Sequence, residues 1–330
     1  MRFVTFVSRG TSAARVGVLT DDDTRVVDLT SAHGLRWGTE NAHLASVLAV
    51  IEGGEHALEL VADLTARADE RAISSLATVT CLAPVPAPPQ MRDFLCFEKH
   101  LVQAFAAARR VRAQSASDPA AAMREMEANG VLRVPPVWHE RPIFYHPNRL
   151  NVIGTDSDVV WPAYSRMMDF ELEFGAVIGR PGKDIRAADA RRHIFGYTIF
   201  NDFSARDEQV LDMPGQLGPG KGKDFDGSNA MGPCLVTADE IGDPYALDMI
   251  VRVNGEEWGR GHSGEMRWRF EDCIAHVSRG ETIYSGEFFG SGTVGNGCGL
   301  EHMRFLKDGD VVELEVEKIG ILRNRVRISP

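Results

Sequence analysis

The chain has 330 residues, 44% of them hydrophobic and 25% charged, with a formal net charge of −11 at pH 7. That length can bury a large core and accommodates two domains, one of them minor. The acidic balance argues against a nucleic-acid partner or an anionic-membrane surface, and no apolar run approaches the roughly 20 residues that span a bilayer. Residues 1–7 are too short and too strand-like for a signal peptide. The five cysteines, Cys81, Cys96, Cys234, Cys273 and Cys298, are odd in number and contain no C-x-x-C pair. That usage favours reduced thiols in a cytoplasm and offers no zinc motif.

In chain order, residues 4–7, 15–19 and 25–29 read as short strands, with Asp21, Asp22 and Asp23 in a turn. Residues 41–51 and 54–69 place Leu44, Val47, Leu48, Ile51, Leu58, Val61 and Leu64 at helical spacing. These elements make a small N-terminal domain over residues 1–80. The proline-rich stretch 81–90 reads as an extended linker, and residues 91–330 as the larger domain. An Ala- and Arg-rich run ending near Gln114 has high helix propensity. A second helix begins at Pro119 behind an Asp118 cap and ends near Asn129-Gly130. The pair reads as a lid or insertion over about 107–140, while 137–147 reads as loop and short strand.

Residues 168–179 alternate acidic and apolar side chains. On a strand, Asp169, Glu171 and Glu173 point one way and Phe170, Leu172 and Phe174 the other. Clustered carboxylates resist ionising together, so a cation belongs among them, and a hard divalent metal suits oxygen donors. A solvated strand face is the alternative. Beyond it, 187–194 reads as a short helix. An apolar strand over 195–200 then delivers Asn201 and Asp202, either a functional strand end or a simple turn. A loop dense in Gly and Lys covers 214–233, Asn254-Gly255 signals a hairpin, and 270–277 reads as a helix. The chain closes in strands where Val312, Leu314 and Val316 alternate with acids. Many short strands with few helices place the fold in a β-rich α+β class.

Two tempting motifs fail in context. Gly290 to Gly295 matches G-x-G-x-x-G, but further glycines follow and no helix opens there. Gly215 to Lys221 has the spacing of a phosphate loop, but Gly222 stands where Ser or Thr must ligate magnesium.

The acidic strand, Asn201-Asp202-Phe203-Ser204-Ala205-Arg206-Asp207 and Ser291-Gly292-Thr293-Val294 occur in the order and spacing of the fumarylacetoacetate hydrolase family, which residues 90–330 resemble. The N-terminal part resembles the small α/β accessory domain of its longer members. The resemblance implies a mixed β-sandwich roll and a homodimer. It places Asp93, Glu171, Glu173 and Asp202 on the divalent-metal ligands, with Mg2+ expected and Mn2+ or Ca2+ as alternatives. It places His100 on the catalytic base, Glu301 on the acid that orients it, and Lys223 on a catalytic cation. Arg109, Tyr145, Gln209 and Thr293 fall on substrate-contacting positions. Leu95 and Met213 stand where the fumarylacetoacetate enzyme has tyrosines, which implies a different substrate.

The implied reaction is hydrolysis of a C–C bond in a 1,3-diketone or acylpyruvate, with a metal-held enolate leaving and water activated by His100 and Glu301, in aromatic catabolism. A keto-acid decarboxylase or hydratase/isomerase on the same metal site is the alternative, and a non-enzymatic metal-binding protein the third. The expected partner is a small dicarbonyl substrate.

Overall fold

The computed structural model describes every residue except Asp21, Ser115, Ser329 and Pro330. Asp21, expected in a turn, thus lies outside the described residues. The fold is α+β and dominated by sheet. Along the main path of the large sheet the strands lie in the order Ile73–Ser75, Arg25–Asp28, Arg15–Leu19, Arg2–Ser8, Asn229–Thr237, Ile194–Asp202, Leu172–Ile178, Phe288–Gly290, Met91–Phe94 and Phe144–Tyr145. A second sheet orders Glu256–His262, Asp248–Val253, Val311–Val316, Gly320–Ile328 and Asp158–Trp161. Residues 1–80 enter the large sheet through Arg2–Ser8, which pairs antiparallel with Asn229–Thr237.

The strand Leu172–Ile178 is buried along its whole length. Its period of two assigns the faces. Phe174, Ala176 and Ile178 join a core with Val251 and Leu314 of the second sheet and with Phe270 and Ile274 of the helix Phe270–Ser278. Val177 faces the other way, into a core with Val50, Ile51 and Val61 of the N-terminal helix. Gly175 shares that second face, and a Cβ there would lie 2.2 Å from the Phe288 ring, so Phe288 fills the space. The acids Glu171 and Glu173 stand at one end of this face. Core burial therefore fixes the strand's register, and the register aims the acids.

Several local expectations hold. The helix Pro119–Ala128 starts behind Asp118, whose side chain accepts from the Ala121 amide, and Gly130 beyond it has φ 68°. Asn254 and Gly255 have φ 52° and 81°, as a type I′ hairpin turn requires. In Val311–Val316, Val312, Leu314 and Val316 are the buried alternates.

Four expectations change. The loop expected over 214–233 ends early, because Asn229–Thr237 is a central strand of the large sheet. The helical stretches 41–51 and 54–69 become a three-residue turn at Ala42–Leu44 and one element, Val47–Ala66, kinked at Gly54, whose φ of 59° breaks the ladder. Pro136–Glu140 is a short helix where loop is expected; proline in its first turn costs no hydrogen bond. The acidic strand is two pieces, Met168–Asp169 and Leu172–Ile178, because the first pairs with Ser204–Ala205 and the second with Ile194–Asp202.

Candidate active site

The carboxylates arrive from separate strands of the large sheet. Asp93 lies on Met91–Phe94, which runs parallel to Phe288–Gly290 so that Asp93 faces Gly290. A Cβ at Gly290 would lie 2.4 Å from Asp93 Oδ1, so only glycine leaves room for that acid. The Gly292 amide, in a turn with φ 72°, donates to Asp93 Oδ1 at 3.2 Å. Glu173 comes from Leu172–Ile178, on the far side of Phe288–Gly290, and Asp202 ends Ile194–Asp202. One oxygen each of Asp93, Glu173 and Asp202 lies within 4.8 Å of the other two, and all three residues are buried.

The expected metal ligands therefore meet, with one difference. Glu171 stands beside the trio and is turned to two cations: Arg206 Nη2 lies 2.7 Å from its Oε1, and Lys223 contacts its Oε2. Lys223 also reaches Asp202 Oδ2 at 2.6 Å. Its position is set by the turn Gly220–Gly222, where a Cβ on Gly222 would clash with Gln209 at 2.6 Å. Tyr145 donates to Asp202 Oδ2 at 2.7 Å, and Thr293 to Glu173 Oε1 at 3.3 Å.

The electrostatics divide the acids into two kinds. Burial, then the Asp202 charge, raises Asp93 to about 8. Burial raises Asp202 to about 6, against the pull of Lys223. Glu173 is driven well above the usual carboxylate range by burial and then by Asp93. Glu171 goes the other way: burial would raise it, but Lys223, Arg206 and His100 together hold it low.

The trio suits a hard divalent cation. Glu173 Oε2 and Asp202 Oδ1 are buried and have no hydrogen-bond partner among the described residues. Buried polar atoms left in that state are costly, and oxygen-only donors match Mg2+, Mn2+ or Ca2+.

The His100–Glu301 pair comes from helices. His100 lies in the first turn of Glu98–Ala113, and its Nδ1 is 3.0 Å from Glu301 Oε1. Glu301 sits on the short helix Gly299–His302, and its Oε2 accepts from the Cys298 amide at 3.1 Å. The seven residues from Asp93 to His100 thus bridge strand to helix.

Asp169 connects the two halves. Its carboxylate accepts from the Gly299 and Leu300 amides at 2.7 and 2.9 Å, which anchors the helix that carries Glu301. The same carboxylate takes Arg206 Nε at 2.8 Å, and Arg206 continues to Glu171. Asp169 therefore does not share the cage with Glu171 and Glu173, because the strand breaks after it. Arg206 and Cys298 carry no role in the sequence reading. Arg206 lies in the 201–207 motif, which is its signal in the sequence; Cys298 carries no local signal.

The remaining expected contacts are dispersed. Gln209 Oε1 accepts from Arg206 Nη1 at 2.9 Å. Arg109 Nη1 donates to the Leu132 carbonyl at 2.6 Å and so ties its helix to the segment after Gly130. Leu95 is half-buried and receives Trp138 Nε1 on its carbonyl at 2.6 Å. Met213 is 48% exposed.

Comparison with known proteins agrees with this architecture. The profile of the fumarylacetoacetate (FAA) hydrolase C-terminal family matches residues 106–327. Human mitochondrial oxaloacetate tautomerase is 39% identical over 188 residues, which is 57% of this chain and 59% of the relative. The chain thus matches less than two thirds of the length of that relative. Oxaloacetate tautomerase YisK of Bacillus subtilis (strain 168) is 30% identical over 319 residues, covering 94% of this chain and 95% of the relative. The crystal structure of maleylpyruvate hydrolase from Sphingobium sp. SYK-6, in complex with manganese (II) ion and pyruvate, shares the fold, with a TM-score of 0.70, 21% identity and full coverage of both chains. Among the described residues, no helix is long and apolar enough to cross a membrane. With a family profile over two thirds of its length and a full-length relative at 30% identity, this chain belongs to the fumarylacetoacetate hydrolase family of enzymes.

Proposed function

We propose that the chain is a divalent-metal-dependent tautomerase of a small β-keto dicarboxylic acid of the oxaloacetate type, moving a proton between carbon and oxygen. The observation that carries this reading is an oriented imidazole, His100 paired with Glu301, beside three buried carboxylates and a buried lysine. The names of the human and Bacillus relatives support it.

His100 takes the proton from the carbon between two carbonyl groups and returns it at oxygen, or the reverse. Glu301, held by the Cys298 amide, keeps the ring oriented and favours its charged form once the proton has moved. Lys223, fixed by Glu171 and Asp202, brings positive charge to the oxygen where negative charge develops. Asp93, Glu173 and Asp202, with Glu171 adjacent, would hold a divalent cation, magnesium by assignment, which would supply Lewis-acid polarisation of the dicarbonyl.

A second reading is hydrolysis of a C–C bond in an acylpyruvate or 1,3-diketone. The same His100–Glu301 pair favours it, because an oriented base can take its proton from water instead of carbon.

Magnesium-loaded protein mixed with enolic oxaloacetate, followed by loss of the enol's ultraviolet absorbance, tests the first reading. Acceleration that disappears in His100→Ala supports it. No acceleration, together with cleavage of an acylpyruvate to acid and pyruvate, moves the assignment to the hydrolase. Carbon dioxide as the product assigns a decarboxylase, and inertness toward all these substrates removes both readings.

A further inference from the structure

A second group of potential ligands lies on the base's side of the site, with a different chemistry from the carboxylate trio. One ligand atom each of His100, Cys298 and Glu301 lies within 4.8 Å of the other two. The Cys298 residue and the Glu301 side chain are fully buried, and the His100 side chain is 8% exposed. The Cys298 backbone is held on two sides: its amide donates to Glu301, and the residue bridges to Glu171. The proposed reaction makes no use of this thiol.

The donor types matter. Imidazole nitrogen, thiolate sulfur and one carboxylate oxygen form the mixed set that zinc takes, and sulfur strongly favours zinc or cadmium over magnesium. Bond lengths of about 2.0–2.3 Å in a tetrahedral site place donors roughly 3.3–3.8 Å apart. A cluster already within 4.8 Å lies about an ångström from that spacing. The oxygen-only trio of Asp93, Glu173 and Asp202 offers no sulfur or nitrogen and keeps its preference for hard ions.

We propose that His100, Cys298 and Glu301 form an inhibitory site for a soft divalent cation of the zinc or cadmium type, separate from the carboxylate site. Binding replaces the Cys298 S–H bond with a sulfur–metal bond, and the proton passes to solvent. The cation also occupies the imidazole that must carry the substrate proton, so turnover stops while magnesium stays bound. The inhibition rests on His100 being the base; the binding does not.

The test titrates magnesium-saturated protein with Cd2+ and records the thiolate-to-cadmium charge-transfer band in the ultraviolet. Cys81→Ser serves as background, because Cys81 is the partly exposed thiol. One cadmium per chain with a band that is lost in Cys298→Ser is expected. A band that persists in Cys298→Ser places the metal on another thiol, such as the Cys96 and Cys273 pair 3.8 Å apart, and overturns the proposal. Should Cys298→Ser fail to fold, His100→Ala retains the thiol and should weaken cadmium binding at least about tenfold; unchanged binding there overturns it too. In turnover, zinc inhibition should be insensitive to added magnesium and at least about tenfold weaker in Cys298→Ser. Inhibition that magnesium relieves, and that is equal in both proteins, places zinc on the carboxylate trio and overturns the proposal. If the protein turns over no dicarbonyl, the function fails while the cadmium band still decides the site.

Discussion

The carboxylate trio and the His100–Glu301 pair are neighbours built by opposite means. Asp93, Glu173 and Asp202 ride on three strands of one sheet, with Phe288–Gly290 between the strand of Asp93 and that of Glu173, and apolar packing on both faces fixes their register. The sheet holds these charges together although burial and mutual repulsion oppose it. His100 and Glu301 instead come from two helices, joined by a hydrogen bond that favours their meeting. The first region has its geometry imposed from outside; the second depends on local polar anchors, with Asp169 and Arg206 running between them. Rigidity is thus spent where like charges must be held, and a polar relay suffices where the partners attract.

This contrast can be broken most severely at the trio. Asp202→Ala removes a ligand and a partner of both Lys223 and Tyr145. Magnesium affinity and turnover should both fall by more than about 100-fold, since even partners one step from a metal are worth 10–100-fold. Magnesium binding by calorimetry and turnover by absorbance check this, and wild-type affinity in the variant would sink the ligand assignment.

His100→Ala should separate the regions. Turnover should drop by about 10²–10⁴-fold, the usual worth of a positioned acid–base group, while magnesium affinity stays within a few-fold. Loss of both together would mean that the two regions are not independent.

Asp169→Asn probes the relay. An amide offers one acceptor oxygen and turns an NH2 toward the Gly299 and Leu300 amides or toward Arg206, where a carboxylate now accepts from all three. A fall in kcat of about 10- to 100-fold is expected, with a displaced pH–rate profile and little change in magnesium affinity. An unaltered pH–rate profile would reduce Asp169 to a structural role.

The mildest test is pH. In the metal-free protein, Asp93 at about 8 and Asp202 at about 6 sit above the ordinary value of roughly 4. Across that interval the folded chain holds more protons than the unfolded one, so stability is greatest near pH 4 and declines as pH rises toward about 8. His276, lowered by burial and then by Arg279, opposes the trend near neutrality but is only half-buried. Tm measured with a chelator should therefore fall from about pH 5 to about pH 8, and saturating magnesium should flatten the slope. A chelated Tm that climbs over this range would contradict the raised Asp93 and Asp202 carboxyls.

Much of the site was legible before any coordinates. Glu171, Glu173 and Asp202 lie at the ends of apolar strands, Asp118 and Gly130 bracket a helix, and Asn254-Gly255 turns a hairpin. The fumarylacetoacetate hydrolase resemblance added Asp93, His100, Glu301 and Lys223. Each of the local signals works over a few residues, through a period of two or 3.6 or the chemistry of one turn, so the chain alone determines them.

Only the tertiary structure decided the rest. The Glu171–Lys223 contact spans 52 residues, the Asp169–Leu300 bond 131 and the His100–Glu301 bond 201. No local pattern encodes such partners; they follow from which strands lie side by side. Strand order placed Asp93 against Gly290, turned Asp169 out of the cage when its strand broke, and brought Cys298 beside His100. The kinds of chemistry were written along the chain. Which acids converge, which one anchors a helix and which thiol stands near His100 follow from sheet pairing, because pairing sets the distances on which charge and coordination depend.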